Sequence, residues 1–278
     1  MLPERMKILV LSDIHNNLVA VRRMRDREHN VYDAVVVGGD IGNASALKFF
    51  EILSTFECPV LYVYGNWDQE LDYDAAFPGD TRLIHLNAIE IGGFYFTGFS
   101  GCPTKWGKNP IALKLGDAPS ASTRALDLNR NALRRVIAPI DPLRTIVVTH
   151  ERLTQLATIA PNVLLHIHGH IHKFSERVVK NTKVVNVSVL DHPVTARPRG
   201  KDVYDQTDLR NFNAGNYVVI EINGSEVGIE CRYLPHNYDG WVPVTDLRHR
   251  GIEWIAEELK WTDANDPRRA RYRESLTR

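Results

Sequence analysis

The chain has 278 residues, 44% hydrophobic and 24% charged, the composition of a globular protein of one large domain or two small ones. Its formal net charge is +0, so no global field steers it toward nucleic acid or an anionic membrane. No apolar run approaches the ~20 residues of a membrane helix, and the start of the chain has no secretory pattern. The three cysteines, Cys58, Cys102 and Cys231, are far apart and odd in number, which suggests a reducing compartment and neither a disulfide framework nor a thiolate metal cluster. A cytoplasmic location is the expectation.

Residues 7–11 form an apolar, β-branched run of strand length, followed directly by Asp13 and His15. Asn16 and Asn17 suit a helix start, and Leu18, Val21 and Met24 recur at helical spacing. Residues 33–37 read as a second buried strand ending in Gly38-Gly39-Asp40, and residues 44–53 as a helix. Residues 59–64 read as a third strand, ending in Gly65-Asn66-Trp67-Asp68. This alternation argues for a mainly parallel sheet with helices on its faces. Residues 83–90 and 94–99, joined through Gly92-Gly93, read as a hairpin. Residues 100–122 read as a long loop, a candidate lid carrying Trp106 and Lys108. A helix is expected over 123–138, with Leu126, Leu133, Val136 and Ile137 on its apolar face. A strand over 144–149 ends at His150, and another over 163–168 ends at Gly169-His170-Ile171-His172.

Hairpins are expected over 175–187 and 217–234, a polar loop over 195–213 and a short helix over 251–261. The end of the chain carries Arg268, Arg269, Arg271, Arg273 and Arg278 and reads as a solvated helix or frayed terminus. The expected organisation is one domain over 1–235 and an extension over 236–278, packed on the domain or partly free.

Histidines occupy alternate positions at His166, His168, His170 and His172. On one strand they would share a face and make poor core, since each buried ring needs polar partners. His170 and His172 lie beyond a glycine, where a strand turns into a loop, and read as metal ligands. His166 and His168 read as structural or supporting.

Strand ends thus carry Asp13, His15, Asp40, Asn66, His150, His170 and His172, expected at one edge of one sheet. Two carboxylates, an amide and four imidazoles suit Mn, Zn, Fe or similar divalent ions. They are too many for one four-coordinate ion and fit a pair about 3.5–4 Å apart. Asp40 is the natural bridge, because a carboxylate has two oxygens to share. Singly, Asp13 or Asp40 reads as a cap or turn residue and His150 as a satisfied core histidine; the ordered series points to metal. A mononuclear or structural site remains the alternative from the residues alone.

Asp13-x-His15, Gly39-Asp40, Gly65-Asn66-x-Asp68, His150 and Gly169-His170-x-His172 resemble the five-block signature of the calcineurin-like metallophosphoesterases. The resemblance implies a four-layer α/β/β/α sandwich with two mixed sheets flanked by helices, the hairpins through residue 234 belonging to the second sheet. It implies one metal on Asp13, His15, Asp40 and His172, and another on Asp40, Asn66, His150 and His170. The ions would be Mn, Fe, Zn or Mg, and the reaction hydrolysis of a small or nucleotide phosphoester, most readily a phosphodiester, by attack of a metal-bound hydroxide. Asp40, Asn66 and His150 are the implied catalytic residues. Neither a membrane nor a nucleic-acid partner is indicated.

One block departs from the family pattern. The histidine that follows the asparagine in the family is Trp67 here, and an indole cannot act as a general acid near neutral pH. Trp67 is then simple packing or an aromatic platform for the organic part of a substrate. The departure also admits a non-catalytic scaffold of the same fold, like the retromer subunit that lacks full metal chemistry. Asp68 orients a ligand or caps the following turn.

Overall fold

A computed structural model describes residues 5–101, 119–172, 174–187, 189–190 and 216–234. The first half runs β1 (Arg5–Leu11), α1 (Leu18–Arg27), β2 (Ala34–Val37), α2 (Ala46–Ser54), β3 (Val60–Tyr62), β4 (Thr81–Leu83), β5 (Ile89–Ile91) and β6 (Phe94–Phe99). The second half runs α3 (Pro119–Ile137), β7 (Thr145–Thr149), α4 (Leu156–Ile159), β8 (Leu165–His168), β9 (Ser175–Val179), β10 (Thr182–Asn186), β11 (Asn216–Asn223) and β12 (Glu226–Tyr233).

These strands form two six-stranded mixed sheets, ordered β12-β11-β1-β2-β3-β4 and β5-β6-β7-β8-β10-β9. β1 to β4 are parallel, and so are β6, β7, β8 and β10; antiparallel strands lie at the other margins, beyond β1, β6 and β10. The alternation within β1 explains how the layers stack. Ile8 and Val10 join Phe96, Val148, Ile167 and Val185 in a core between the sheets. Leu9 and Leu11 face the other way, with Val21 and Met24 of α1 and Phe49 and Phe50 of α2. On the far side, Val147 and Val184 pack with Leu133 and Ile137 of α3 and Leu156 and Ile159 of α4. Both faces of each sheet are therefore apolar, which is why the central strands read as continuous hydrophobic runs. The result is the four-layer α/β/β/α sandwich with two mixed sheets.

Several details differ from the sequence expectation. The sheet is two mixed sheets, so the ligand-bearing strands are divided, with β1, β2 and β3 in one and β7 and β8 in the other. Residues 83–90 are not one strand. Thr81–Leu83 extends the first sheet beside β3, and the chain crosses to the second sheet before Ile89. The 217–234 hairpin belongs to the first sheet, because β11 pairs with the open edge of β1, Ile8 opposite Ile220. α3 begins at Pro119, before its apolar period does; Pro at a first helical position lacks only an N–H that would be unpaired anyway. α4 is too short to leave a periodic signal. Most of the 100–122 loop, with Trp106 and Lys108, the 195–213 loop, the 251–261 helix and the arginine-rich end lie outside the described residues. Among the described residues no helix is long and apolar enough to cross a membrane.

Candidate metal centre

The parallel strands of both sheets end at the same place, and their loops are tied together by backbone hydrogen bonds. The N–H groups of Asp13, Ile14 and His15 donate to the carbonyls of Gly39 and Asp40 at 2.7–3.0 Å, and Asn16 N–H donates to Ile41 at 2.9 Å. This lacing holds an unusual backbone. Asp13 (φ 55°), His15 (48°), Asn16 (67°), Asp40 (55°) and His170 (68°) are left-handed, five of the nine non-glycine residues with positive φ among those described. Such conformations cost of order 1 kcal/mol each and persist only where the surroundings over-determine them. Asp and Asn tolerate them better than most residues, so the residue types match the turns.

The side chains form one connected cluster. His172 Nε2 lies 3.2 Å from Asp13 Oδ1, and His15 Nε2 lies 3.2 Å from Asp40 Oδ2 and 4.0 Å from Asp13 Oδ1. His150 Nε2 is 3.3 Å from the same Asp40 oxygen, 3.1 Å from Asn66 Oδ1 and 3.3 Å from His170 Nδ1. Asp13 and Asp40 thus sit at the centre, both buried, with imidazoles arriving from both sheets. Their remaining oxygens are held in place: Ser12 Oγ donates to Asp13 Oδ2 at 2.7 Å, His170 N–H donates to Asp13 at 3.0 Å, and Trp67 N–H donates to Asp40 Oδ1 at 2.7 Å. His150 Nδ1 lies 2.9 Å from the Gly38 carbonyl, which orients the ring and turns Nε2 toward the carboxylates.

Two glycines make this approach possible. A Cβ on Gly65 would stand 2.1 Å from Asp40 Oδ1, and one on Gly169 would stand 2.4 Å from Asp13 Oδ2. Behind the cluster, Asp68 accepts from the N–H groups of Gly42 and Gly65, both at 2.7 Å, and so clamps the β2 and β3 loops together. Burial and the nearby Asp40 charge push its pKa up to about 6.

The electrostatics show what the cluster favours. Burial alone would strip the proton from His150, yet the Asp40 and Asp13 carboxylates raise its pKa to about 9. Burial likewise opposes charge on Asp13 and Asp40, but the facing imidazoles outweigh it and hold both carboxyls below their ordinary range. A site that lowers the pKa of two buried carboxyls and raises that of a buried imidazole is one that favours positive charge. The ligand-capable atoms of Asp13, His15 and His172 lie within 4.8 Å of one another, and so do those of Asp13, Asp40 and His150. Hard carboxylate oxygens mixed with borderline imidazoles suit a divalent transition ion, so donor chemistry and charge both fit.

All seven side chains expected at the strand ends meet here, from both sheets instead of one. Trp67 lies on the rim, half-exposed, its ring 4.6 Å from that of His15. The four alternate histidines separate. β8 ends at His168, and the turn at His170 sends only His170 and His172 into the cluster. His166 and His168 are buried elsewhere, His166 Nε2 being 2.9 Å from Thr149 Oγ1 and His168 Nδ1 3.2 Å from Asn186 Nδ2. Asn17 caps α1 through Ala20 N–H, whereas Asn16 bonds Ser45 N–H at 3.0 Å and so links two loops. The supporting roles of Ser12 and the Gly38 carbonyl had no sequence signal beyond their place beside the motif residues.

The Calcineurin-like phosphoesterase superfamily domain matches residues 6–204. No curated protein matches the chain. Among solved structures, one is 16% identical over 81% of this chain and 98% of its own, with a TM-score of 0.51. A novel archaeal phosphodiesterase is 13% identical over 82% of this chain and 100% of its own, with a TM-score of 0.42. Wild-type Vps29 of Entamoeba histolytica, complexed with zinc, is 17% identical over 82% of this chain and 97% of its own, with a TM-score of 0.40. With the match covering strands of both sheets, all but β11 and β12, and every strand-tip residue of the cluster, the chain belongs to the calcineurin-like phosphoesterase superfamily.

Proposed function

We propose that this phosphoesterase hydrolyses phosphodiesters or small nucleotide phosphates with two divalent cations held at the strand tips. Asp13, His15, Asp40 and His172 would hold one, and Asp40, Asn66, His150 and His170 the other, with Asp40 shared. Its working unit would be residues 1–235. The observation that carries this reading is the convergence of seven donor side chains from five strand ends, two of them buried carboxylates at the centre, in a backbone strained where the donors leave the strands. Cations held there would polarise a phosphate oxygen and neutralise the charge that develops in the transition state.

The protein supplies the rest. Asp40 is fixed from one side by Trp67 N–H, which leaves Oδ2 for the imidazoles and the cations. The Gly38 carbonyl orients His150, and the proton that ring holds without a cation would leave as one enters. The exposed Trp67 ring offers a flat apolar surface for a base or aryl group. It offers no acid for the leaving oxygen, and positioned proton transfer typically contributes about 10²–10⁴-fold. The activity should therefore favour substrates whose leaving groups depart unprotonated.

With Mn²⁺ the purified chain is expected to hydrolyse bis(p-nitrophenyl) phosphate, and Asp40→Asn to abolish this. Trp67 is the observation that favours a scaffold instead; turnover no higher than that of the Asp40→Asn variant with every divalent ion tried would support that reading and overturn the enzyme.

A further inference from the structure

On the outer face of the second sheet, a cavity of about 180 Å³ is lined by Arg152, Thr154, His166 and Arg177 beside apolar residues and by none of the strand-tip donors. The sheet register builds it. Val147, His166, Val184 and Arg177 stand side by side across β7, β8, β10 and β9, so they share one face. Arg152 and Thr154 reach the same cavity from the loop after β7. Among the described residues neither arginine has a carboxylate partner. Burial and the like charge of Arg152 pull Arg177 below its ordinary value, as expected of two guanidinium groups sharing a space.

At the floor lies His166, fully buried, with no hydrogen-bond partner at Nδ1 among the described residues. Its tautomer follows from its neighbour. Thr149 Oγ1 donates its only proton to the Glu151 carbonyl at 2.6 Å, so toward His166 Nε2, 2.9 Å away, it accepts. Nε2 then carries the hydrogen, and Nδ1 is left a bare acceptor on a residue that lines the cavity beside Arg152, Thr154 and Arg177. A buried acceptor left unpaired costs about 1–3 kcal/mol, so a ligand that brings both negative charge and a hydrogen suits the arrangement better than one that brings charge alone.

We propose that this cavity is an anion site for monohydrogen phosphate: its oxygens accept from Arg152, Arg177 and Thr154, and its O–H donates to His166 Nδ1. Sulfate has the same shape and charge but no such hydrogen, and the dianion of methyl phosphate lacks it too. The site is separate from the strand-tip centre and does not depend on the reaction assigned there.

The test is calorimetric titration of the full chain with inorganic phosphate, sulfate and methyl phosphate at pH 8. A chelator is present, so that no anion can bind through a cation at the strand tips. Phosphate should bind, and Arg177→Gln, a change on an exposed strand, should weaken it by about tenfold or more. Sulfate and methyl phosphate should each bind about tenfold or more weakly than phosphate. His166→Gln, with circular dichroism to verify its fold, should remove the preference among the three anions. No phosphate binding, or binding untouched by Arg177→Gln, would overturn the site; equal binding of the three anions by the unaltered chain would overturn the role of Nδ1.

Discussion

The first sheet carries two buried carboxylate clusters, and they are solved in opposite ways. At one, Glu28 is almost wholly buried after α1, and its oxygens take hydrogen bonds from Tyr32, from Tyr217 at 2.6 Å and from Arg232 at 2.7 and 2.9 Å. The carboxylate there has two hydroxyls and a guanidinium, which it shares with the exposed Glu230, so its acceptors are filled within the fold. At the strand tips, two carboxylates share a pocket with imidazoles whose charge is optional, on backbone held in left-handed turns. Burial of a carboxylate therefore does not mark a site. What distinguishes the strand tips is surplus acceptors on strained backbone, which a further cation would complete.

Exchanging the chemistry of either cluster tests that contrast. The largest effect is expected for Asp40→Asn, which should lower Mn²⁺-dependent hydrolysis of bis(p-nitrophenyl) phosphate by about 10³-fold or more while the fold persists, judged by circular dichroism. Gly65→Ala should lower the same rate by about 10²-fold, because its Cβ would stand 2.1 Å from Asp40 Oδ1 and must displace it. At the satisfied cluster the readout changes: Glu28→Gln should cost about 2–3 kcal/mol of stability in urea unfolding and leave the rate per folded molecule unaltered. Trp67→His should raise turnover of substrates with poor leaving groups by about tenfold, measured against an alkyl phosphodiester.

The smallest effect is a pH dependence. Burial raises the Glu28 pKa, but its hydrogen bonds to Tyr217, Tyr32 and Arg232 outweigh this and place it below the ordinary 4.5. Its contribution is therefore complete above about pH 4.5 and fades as the pH falls through the depressed folded value. Glu28→Gln should flatten stability against pH in that acid window only.

The two clusters were unequally legible in the sequence. Asp13, His15, Asp40, Asn66, His150, His170 and His172 stand where apolar runs stop, and strand ends of an α/β fold are where donors collect, so local pattern sufficed. Glu28 left no such trace, because its partners come from Tyr217 and Arg232, far along the chain, and depend on β11 pairing with β1. Sheet membership was hidden for the same reason: a parallel strand reads alike whichever sheet it joins, so β7 and β8 could not be told from β1 to β3. The parting of His166 and His168 from His170 and His172 was legible at Gly169, which interrupts the alternation, and the left-handed His170 is the turn that effects it.

The central claim is that the strand-tip cluster is a paired-cation site, and counting bound metal tests it most directly. Chelator-treated protein titrated with Mn²⁺ and followed by electron paramagnetic resonance should take up about two ions per chain with a spin-coupled signal, as neighbouring ions give. Uptake of a single uncoupled ion, or uptake unchanged by Asp40→Asn, would contradict it.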